Sequence, residues 1–230
     1  MSDSVSFEKY RAYLVSQKDR AAAGVPQHQP FVTISRQAGA GAETVAQLLA
    51  AKLNAKCGKD EQPWIVFDKN LIGKVLEDQN LPQEIARHVH EDKDTTLQAL
   101  VGELLGIHPS MWTIFHHTSD TILKLASIGR AIVVGRGGNI ITAKLKGGAQ
   151  IRLVAPESVR LAHLKTHLKL DDKAAQKYLH DEDAGRRRYV KTNFDRDIED
   201  PLLYDAVLNT ATLGFERTAD VIASMVAAKS

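Results

Sequence analysis

A glycine-containing loop near residue 40 has the residue types and spacing that suit anion binding. Gly39 and Gly41 lack a Cβ, so their backbone N–H groups can approach a phosphate closely. A helical pattern follows the loop, and the partly positive N-terminus of that helix faces the same position. The sequence therefore predicts a phosphate-binding loop, formed by Ser35, Arg36, Gln37, Ala38, Gly39, Ala40, Gly41, Ala42, Glu43 and Thr44.

The loop departs from the phosphate-loop pattern G-x-x-x-x-G-K-[ST]. It keeps Gly41, but Arg36 replaces the first glycine, and Ala42 and Glu43 stand where a lysine and a hydroxyl residue are expected. A guanidinium group can replace the lysine charge because it binds phosphate through two parallel hydrogen bonds. Arg36 is the nearest candidate, and Arg136 and residues 186–188 are the alternatives. Glu43 either helps to bind a metal ion or turns outward at the helix N-terminus.

Two other interpretations of the loop compete with phosphate binding. Residues 39–44 match the dinucleotide-binding pattern G-x-G-x-x-[GA] at all but its last position, and Asp68 ends the next predicted strand. Four residues separate Ile34 from Gly39, which is too many for the tight turn of a dinucleotide fold but suits a loop around a phosphate. A loop that merely connects strand and helix is the remaining alternative.

The elements that would position these residues alternate along the chain. Apolar runs at residues 30–35, 64–70, 129–141, 149–156 and 200–210 alternate with helical patterns. This predicts a three-layer α/β/α fold with a mostly parallel, five-stranded sheet. Ligands of such sheets bind at the carboxyl ends of the strands. Polar signatures occur at those ends: the loop itself, Asp68, the GRGGN segment with Arg136, the arginine-rich segment, and Asn209 with Thr210.

The bulk composition predicts an ordinary globular protein. The 230 residues are 43% hydrophobic with a net charge of +2, so no nucleic-acid or membrane partner is expected on electrostatic grounds. The single cysteine, Cys57, favours a reducing compartment. Without a signal-like or membrane-length apolar run, a cytoplasmic location is expected. The histidines lack metal-ligand spacing, so no protein-bound metal site is predicted, and a homo-oligomer is left open.

Five motifs in one order resemble the nucleoside monophosphate kinase group of P-loop proteins, and most closely the cytidylate kinase-like family. The resemblance covers Phe31 to Val226 and includes a charged DxxRxxY pattern. The matching segments are ISRQAGAGAETVAQLLA, FDKNLI, VVGRGGN, DAGRRRY and DPLLYDAVLNT. It implies a P-loop NTPase fold that binds ATP and Mg²⁺. Cytidylate kinases themselves have the loop lysine, which is absent here.

The resemblance also implies roles for individual residues. Residues 36–44 would bind the donor phosphates, and Asn209 and Thr210 would lie near the donor base. Asp68 would bind the acceptor or Mg²⁺, and Arg136 would bind the acceptor's anionic group. Arg187 and Arg188 would contact the transferred phosphoryl group from a mobile lid.

The implied organisation is an N-terminal helix and connector at 1–30 and a kinase-like domain at 31–230. Within that domain we expect an acceptor-binding helical insertion at about 71–128 and a lid at about 171–197. The expected function is ATP-dependent phosphoryl transfer to a small anionic acceptor, with a nucleoside monophosphate such as CMP as one candidate. The alternative is a catalytically inactive, nucleotide-binding regulatory module.

Overall fold

The computed structural model describes residues 29–58, 61–68 and 111–229. The predicted N-terminal helix and most of the predicted acceptor-binding insertion lie outside the described residues. The loop, the strand ends and the predicted lid lie within them.

The five predicted strands form one sheet. Its order is β2-β3-β1-β4-β5, and every neighbouring pair is parallel, which confirms the predicted sheet. The strands are β1 (Phe31–Arg36), β2 (Ile65–Phe67), β3 (Ala131–Val134), β4 (Gly148–Val154) and β5 (Ala206–Asn209). Because β1 lies at the centre, the loop that follows it sits in the middle of the carboxyl edge.

Helices cover both faces of the sheet. They are α1 (Ala42–Asn54), α2 (Met111–Ile128), α3 (Gly138–Ile141), α4 (Glu157–Leu168), α5 (Asp172–Phe194) and α6 (Thr210–Ala227), with a 3₁₀ turn at Pro201–Leu203. The residue pattern from Gly214 to Lys229 predicts that the last helix starts at Gly214, but the helix starts at Thr210. Asn209 caps this earlier start, and Gly214 (φ 71°, ψ 162°) kinks the helix instead of preceding it.

The two faces of the sheet differ in polarity because side chains alternate along each strand. Val32 and Ile34 of β1 point into an apolar core shared with α1 and α6. Thr33 and Ser35 alternate with them and are also buried. On β4, Arg152 is the register partner of Ser35 and donates from Nη1 to its Oγ at 3.3 Å. Buried polar groups therefore lie on one face, close to the end of β1.

Candidate functional site

The loop between β1 and α1 adopts a conformation that requires glycine at two positions. Gly39 and Gly41 both have φ +77°. A Cβ on Gly39 would lie 2.5 Å from the carbonyl oxygen of Arg160, and one on Gly41 would lie 2.3 Å from the ring of Phe215. Gly41 immediately precedes α1. The first N–H groups of a helix have no partner within it, so those of α1 are directed out of its N-terminus beside the loop.

Asp183 of α5 fixes one side of the loop. The N–H of Ala38 donates to Oδ1 of Asp183 at 2.7 Å, and Arg160 Nη1 donates to Oδ2 at 2.6 Å. Arg160 Nη1 also donates to the carbonyl oxygen of Ala38 at 3.1 Å. Asp183 is 9% exposed, so these bonds form in a largely desolvated setting. A protein carboxylate thus binds the Ala38 amide, and the N–H of Ala40 donates to the carbonyl oxygen of Gln37 at 3.2 Å.

Three arginines from three different elements converge beside the loop. Arg36 ends β1, Arg136 follows β3, and Arg186 lies on α5. Burial, together with the positive charges of Arg186 and Arg136, lowers the pKa of Arg36 to about 10. Burial and Arg186 likewise lower the pKa of Arg136. With a pKa of about 10, Arg36 remains protonated at neutral pH, and the three neighbouring guanidinium groups together produce a positive potential that favours an anion.

Carboxylates neutralise this arginine cluster only in part. Glu182 accepts from Arg186 Nη2, and its Oε2 lies 4.0 Å from Arg136 Nη2. Within the part of the chain that the structure describes, Arg36 Nη1 and Arg186 Nε are buried without a hydrogen-bond partner. A buried unsatisfied donor costs about 1–3 kcal/mol, and more when charged. An oxyanion that accepts from these nitrogens would remove that cost.

The three arginines at residues 186–188 differ in burial. Arg186 is the buried member of the run, at 7% exposure, although the sequence prediction named Arg187 and Arg188. The side chain of Arg187 is 55% exposed, yet it lines the same cavity as Arg36. Arg188 is exposed and does not line that cavity. The DxxRxxY pattern corresponds to Asp183, Arg186 and Tyr189, so it already distinguished Arg186 from its two neighbouring arginines.

Arg152 was missed by the sequence prediction. It is 4% exposed, lies on β4 and lines a small cavity under α5. The cavity is bounded by Arg36, Gln37, Arg152, Arg186, Arg187 and Glu199, among others. The available signal was a charged residue inside the apolar run of a strand that is buried on both faces, where an unpaired charge is costly.

Glu43 turns outward, which was one of the two predicted alternatives. Its side chain is 66% exposed, and its carboxylate lies 3.9 Å from His167 Nε2. Asp68 follows β2 at the same edge of the sheet as the loop. Among the described residues, no group of three or more His, Cys, Asp or Glu side chains is arranged to hold a metal ion.

Asn209 and Thr210 lie at the end of β5, and the side-chain oxygen of each already has a hydrogen-bond partner. Asn209 Oδ1 accepts from the N–H of Ala211 at 3.0 Å and caps α6. Thr210 Oγ1 donates to the carbonyl oxygen of Val154 at 3.4 Å. Both side chains therefore stabilise the β5–α6 connection, and their predicted contacts near a donor base stay a prediction.

The parallel sheet with a glycine loop after its central strand defines a P-loop kinase fold of the nucleoside monophosphate kinase type. The sequence profile of the cytidylate kinase-like family matches residues 31–212. The chain therefore belongs to the cytidylate kinase-like family. Membership supports phosphoryl transfer as the general type of reaction.

Solved structures match this chain at low sequence identity. An uncharacterized protein from Eubacterium ventriosum is 17% identical with a TM-score of 0.64, and the match covers 86% of this chain and 99% of that one. A shikimate kinase from Acinetobacter baumannii in complex with shikimate is 14% identical (TM-score 0.46, coverage 88% and 95%). A dephospho-CoA kinase from Campylobacter jejuni is also 14% identical (TM-score 0.40, coverage 86% and 97%). No protein of curated function matches the sequence. In the described ranges, no helix has the length and apolarity needed to cross a bilayer.

Proposed function

We propose that this protein transfers a phosphoryl group from ATP to a small anionic acceptor, with arginines supplying the charge of the missing loop lysine. The observation that carries the proposal is the convergence of Arg36, Arg136 and Arg186, two of which have buried nitrogens without partners. Phosphoryl transfer depends mainly on positioning and on positive charge around the migrating group. Arginines from three elements meet both requirements.

The loop and the arginines would bind different parts of the donor and the acceptor. The backbone around Gly39 and Gly41 and the N-terminus of α1 would bind the donor phosphates, with Arg36 beside them. Arg136, at the end of β3, would bind the anionic group of the acceptor. Arg186 would contact the transferred group from α5, where Glu182 and Asp183 orient its guanidinium group.

The residues present also suit Mg²⁺ that arrives with ATP. Proteins usually hold this ion through substrate phosphates, water and one or two carboxylates, so a cluster of acidic side chains is not required. Asp68, which follows β2, would be that carboxylate. Bound Mg²⁺ would neutralise charge on the phosphates. Glu43 would not participate, because its carboxylate faces His167.

Family membership favours a nucleoside monophosphate as the acceptor, with CMP as the first compound to test. A second candidate function is a nucleotide-binding regulatory module without catalysis. One observation favours it: Asp183 already binds a loop amide and, with Glu182, pairs with Arg186. Product formation separates the two functions.

The decisive experiment combines binding and turnover. ATP affinity is measured by calorimetry with Mg²⁺ for the wild type, for Arg36→Gln and for a control, Arg217→Gln, whose side chain is exposed on α6. Loss of one charge-assisted contact of about 1.5–3 kcal/mol should weaken ATP binding about 10- to 150-fold in Arg36→Gln alone. Equal affinities in both variants would refute the role of Arg36.

Turnover is then tested with labelled ATP and a panel of nucleotides and small hydroxyl metabolites. A phosphorylated product that Arg36→Gln forms several hundredfold more slowly would support the kinase, since one preorganised donor is worth about that much in rate. Tight ATP binding without product from any acceptor would establish the regulatory module instead.

A further inference from the structure

Arg152 is a buried charge that the proposed phosphate loop does not use. It projects from β4, is 4% exposed, and its guanidinium carbon lies 5.7 Å from the centroid of the Tyr204 ring. Nη1 donates to Ser35 Oγ at 3.3 Å, and Nη2 lies 3.5 Å from Glu199 Oε1. A buried charge is costly unless it is well paired. The contact with Glu199 is long for an ion pair in such a place.

Glu199 has the properties of a displaceable counterion. The same oxygen, Oε1, lies 3.7 Å from Arg187 Nη1, so two guanidinium groups flank it at distances above the 2.7–2.9 Å of a good charged hydrogen bond. Its side chain is 50% exposed. Asp183, lining the same cavity, instead accepts at 2.6 and 2.7 Å. Of these two carboxylates, only Glu199 can leave without breaking short, buried bonds.

The position of Glu199 marks a point where an anion is held between β4 and α5. Arg152 approaches this point from the sheet and Arg187 from the helix, and both line the cavity that Arg36 and Arg186 also border. A phosphate group carries more charge than a carboxylate and has three acceptor oxygens. It could therefore accept from both guanidinium groups at once, whereas Glu199 Oε1 reaches neither at short distance.

We propose that Arg152 and Arg187 form a second oxyanion subsite, which takes a phosphate group, and that Glu199 occupies it until that group displaces the carboxylate. The subsite deepens the proposed function, on which it rests, because it adds a phosphate position to the same cavity. The phosphate belongs either to the donor or to the acceptor. Both sources share the tetrahedral oxyanion chemistry that the two guanidinium groups recognise.

The test uses exposed positions, because replacing the buried Arg152 risks unfolding the protein. Inorganic phosphate, ATP, ADP and CMP are titrated separately by calorimetry into the wild type, Glu199→Gln and Arg187→Gln. The matched controls are Glu216→Gln, whose side chain is 67% exposed and pairs with Lys52, and Arg217→Gln. Glu199→Gln should bind phosphate about 2- to 5-fold more tightly, since a partly exposed ion pair no longer competes. Arg187→Gln should bind it about tenfold more weakly.

The nucleotide titrations identify the source of the phosphate. Changes confined to ATP assign the subsite to the donor's terminal phosphate, and changes confined to CMP assign it to the acceptor. If the wild type binds ATP but Glu199→Gln matches Glu216→Gln for every ligand, the subsite is refuted and the proposed function stands. If the wild type binds no ATP, the proposed function fails, and the phosphate titration alone decides the subsite.

Discussion

Replacing Asp183 tests the connection between the phosphate loop and α5. The carboxylate accepts from the Ala38 N–H at 2.7 Å, from Arg160 Nη1 at 2.6 Å and from Arg186 Nη1 at 3.3 Å. Asp183→Ala removes all three bonds. It leaves Arg160 and Arg186, which are 7% exposed each, without this counterion.

The expected loss of stability follows from these contacts. Two of the bonds are short and charge-assisted, and each such bond is worth about 1.5–3 kcal/mol. Removing one partner of a buried ion pair costs about 3–5 kcal/mol, and the side chain of Asp183 is only 11% exposed, so little solvent screening reduces this value. We therefore expect Asp183→Ala to lower the free energy of unfolding by about 3–5 kcal/mol. For a domain of this size, that is a fall in melting temperature of roughly 6–20 °C.

Urea unfolding and thermal melting measure this difference directly. Asp181→Ala is the matched control, because Asp181 lies on the same helix, is 62% exposed and pairs with Lys177 at the surface. The control should change the free energy of unfolding by no more than about 0.5 kcal/mol. If Asp183→Ala costs less than about 1 kcal/mol, the three bonds do not join the loop to α5 as argued.

Three further substitutions test the backbone and the pH dependence. Gly41→Ala should lower the free energy of unfolding by at least about 1 kcal/mol, because residue 41 has a φ of +77° and the new Cβ meets the Phe215 ring. Chemical denaturation measures this loss, and the additional substitution Phe215→Leu should restore part of it. Gly185→Ala in α5 should raise stability by about 0.5–1 kcal/mol in the same assay, since nothing lies within 4 Å of the new Cβ. Burial, and then His167, lower the pKa of His163, against a hydrogen bond to the Gly39 backbone. The unfolded state therefore binds more protons from about pH 6.5 down to the folded pKa, and stability falls as the pH drops through that window. The melting temperature of the wild type should fall more steeply below pH 6.5 than that of His163→Gln, and parallel curves would contradict this.

The sheet could be predicted from the sequence because its signals are local. Each strand is a short apolar run that ends in a polar segment, as at Ser35 and Asp68, and parallel strands buried on both faces need no alternation. The start of α6 was predicted less well. The side chain of Asn209, which the sequence predicted to lie near a donor base, caps the helix, and Gly214 lies inside a kink. A cap and a ligand residue look alike in sequence, since both need a short polar side chain at a strand end.

The buried arginine of α5 follows from helical periodicity, which the sequence prediction did not apply to this segment. The buried positions of the helix recur every three or four residues, which places Arg186 on the inner face and Arg188 outside. These positions are Ala175, Leu179, Asp183, Arg186 and Val190. The hydrogen-bond partners of these side chains could not be predicted in the same way. The bond from Ala38 to Asp183 joins residues 145 positions apart, and no local pattern specifies that contact.

The proposed replacement of a loop lysine by arginines would change what the site depends on. A lysine in the loop would carry its charge on the same segment that binds the phosphate, so loop and charge would form together. Here Arg186 belongs to α5, and Asp183 ties that helix to Ala38 of the loop. In the proposed site, the charge around a phosphate would therefore be complete only while α5 remains docked. In Asp183→Ala, phosphate affinity should fall together with stability, whereas Arg36→Gln should weaken phosphate binding without a comparable loss of stability, because one nitrogen of Arg36 is already buried without a partner.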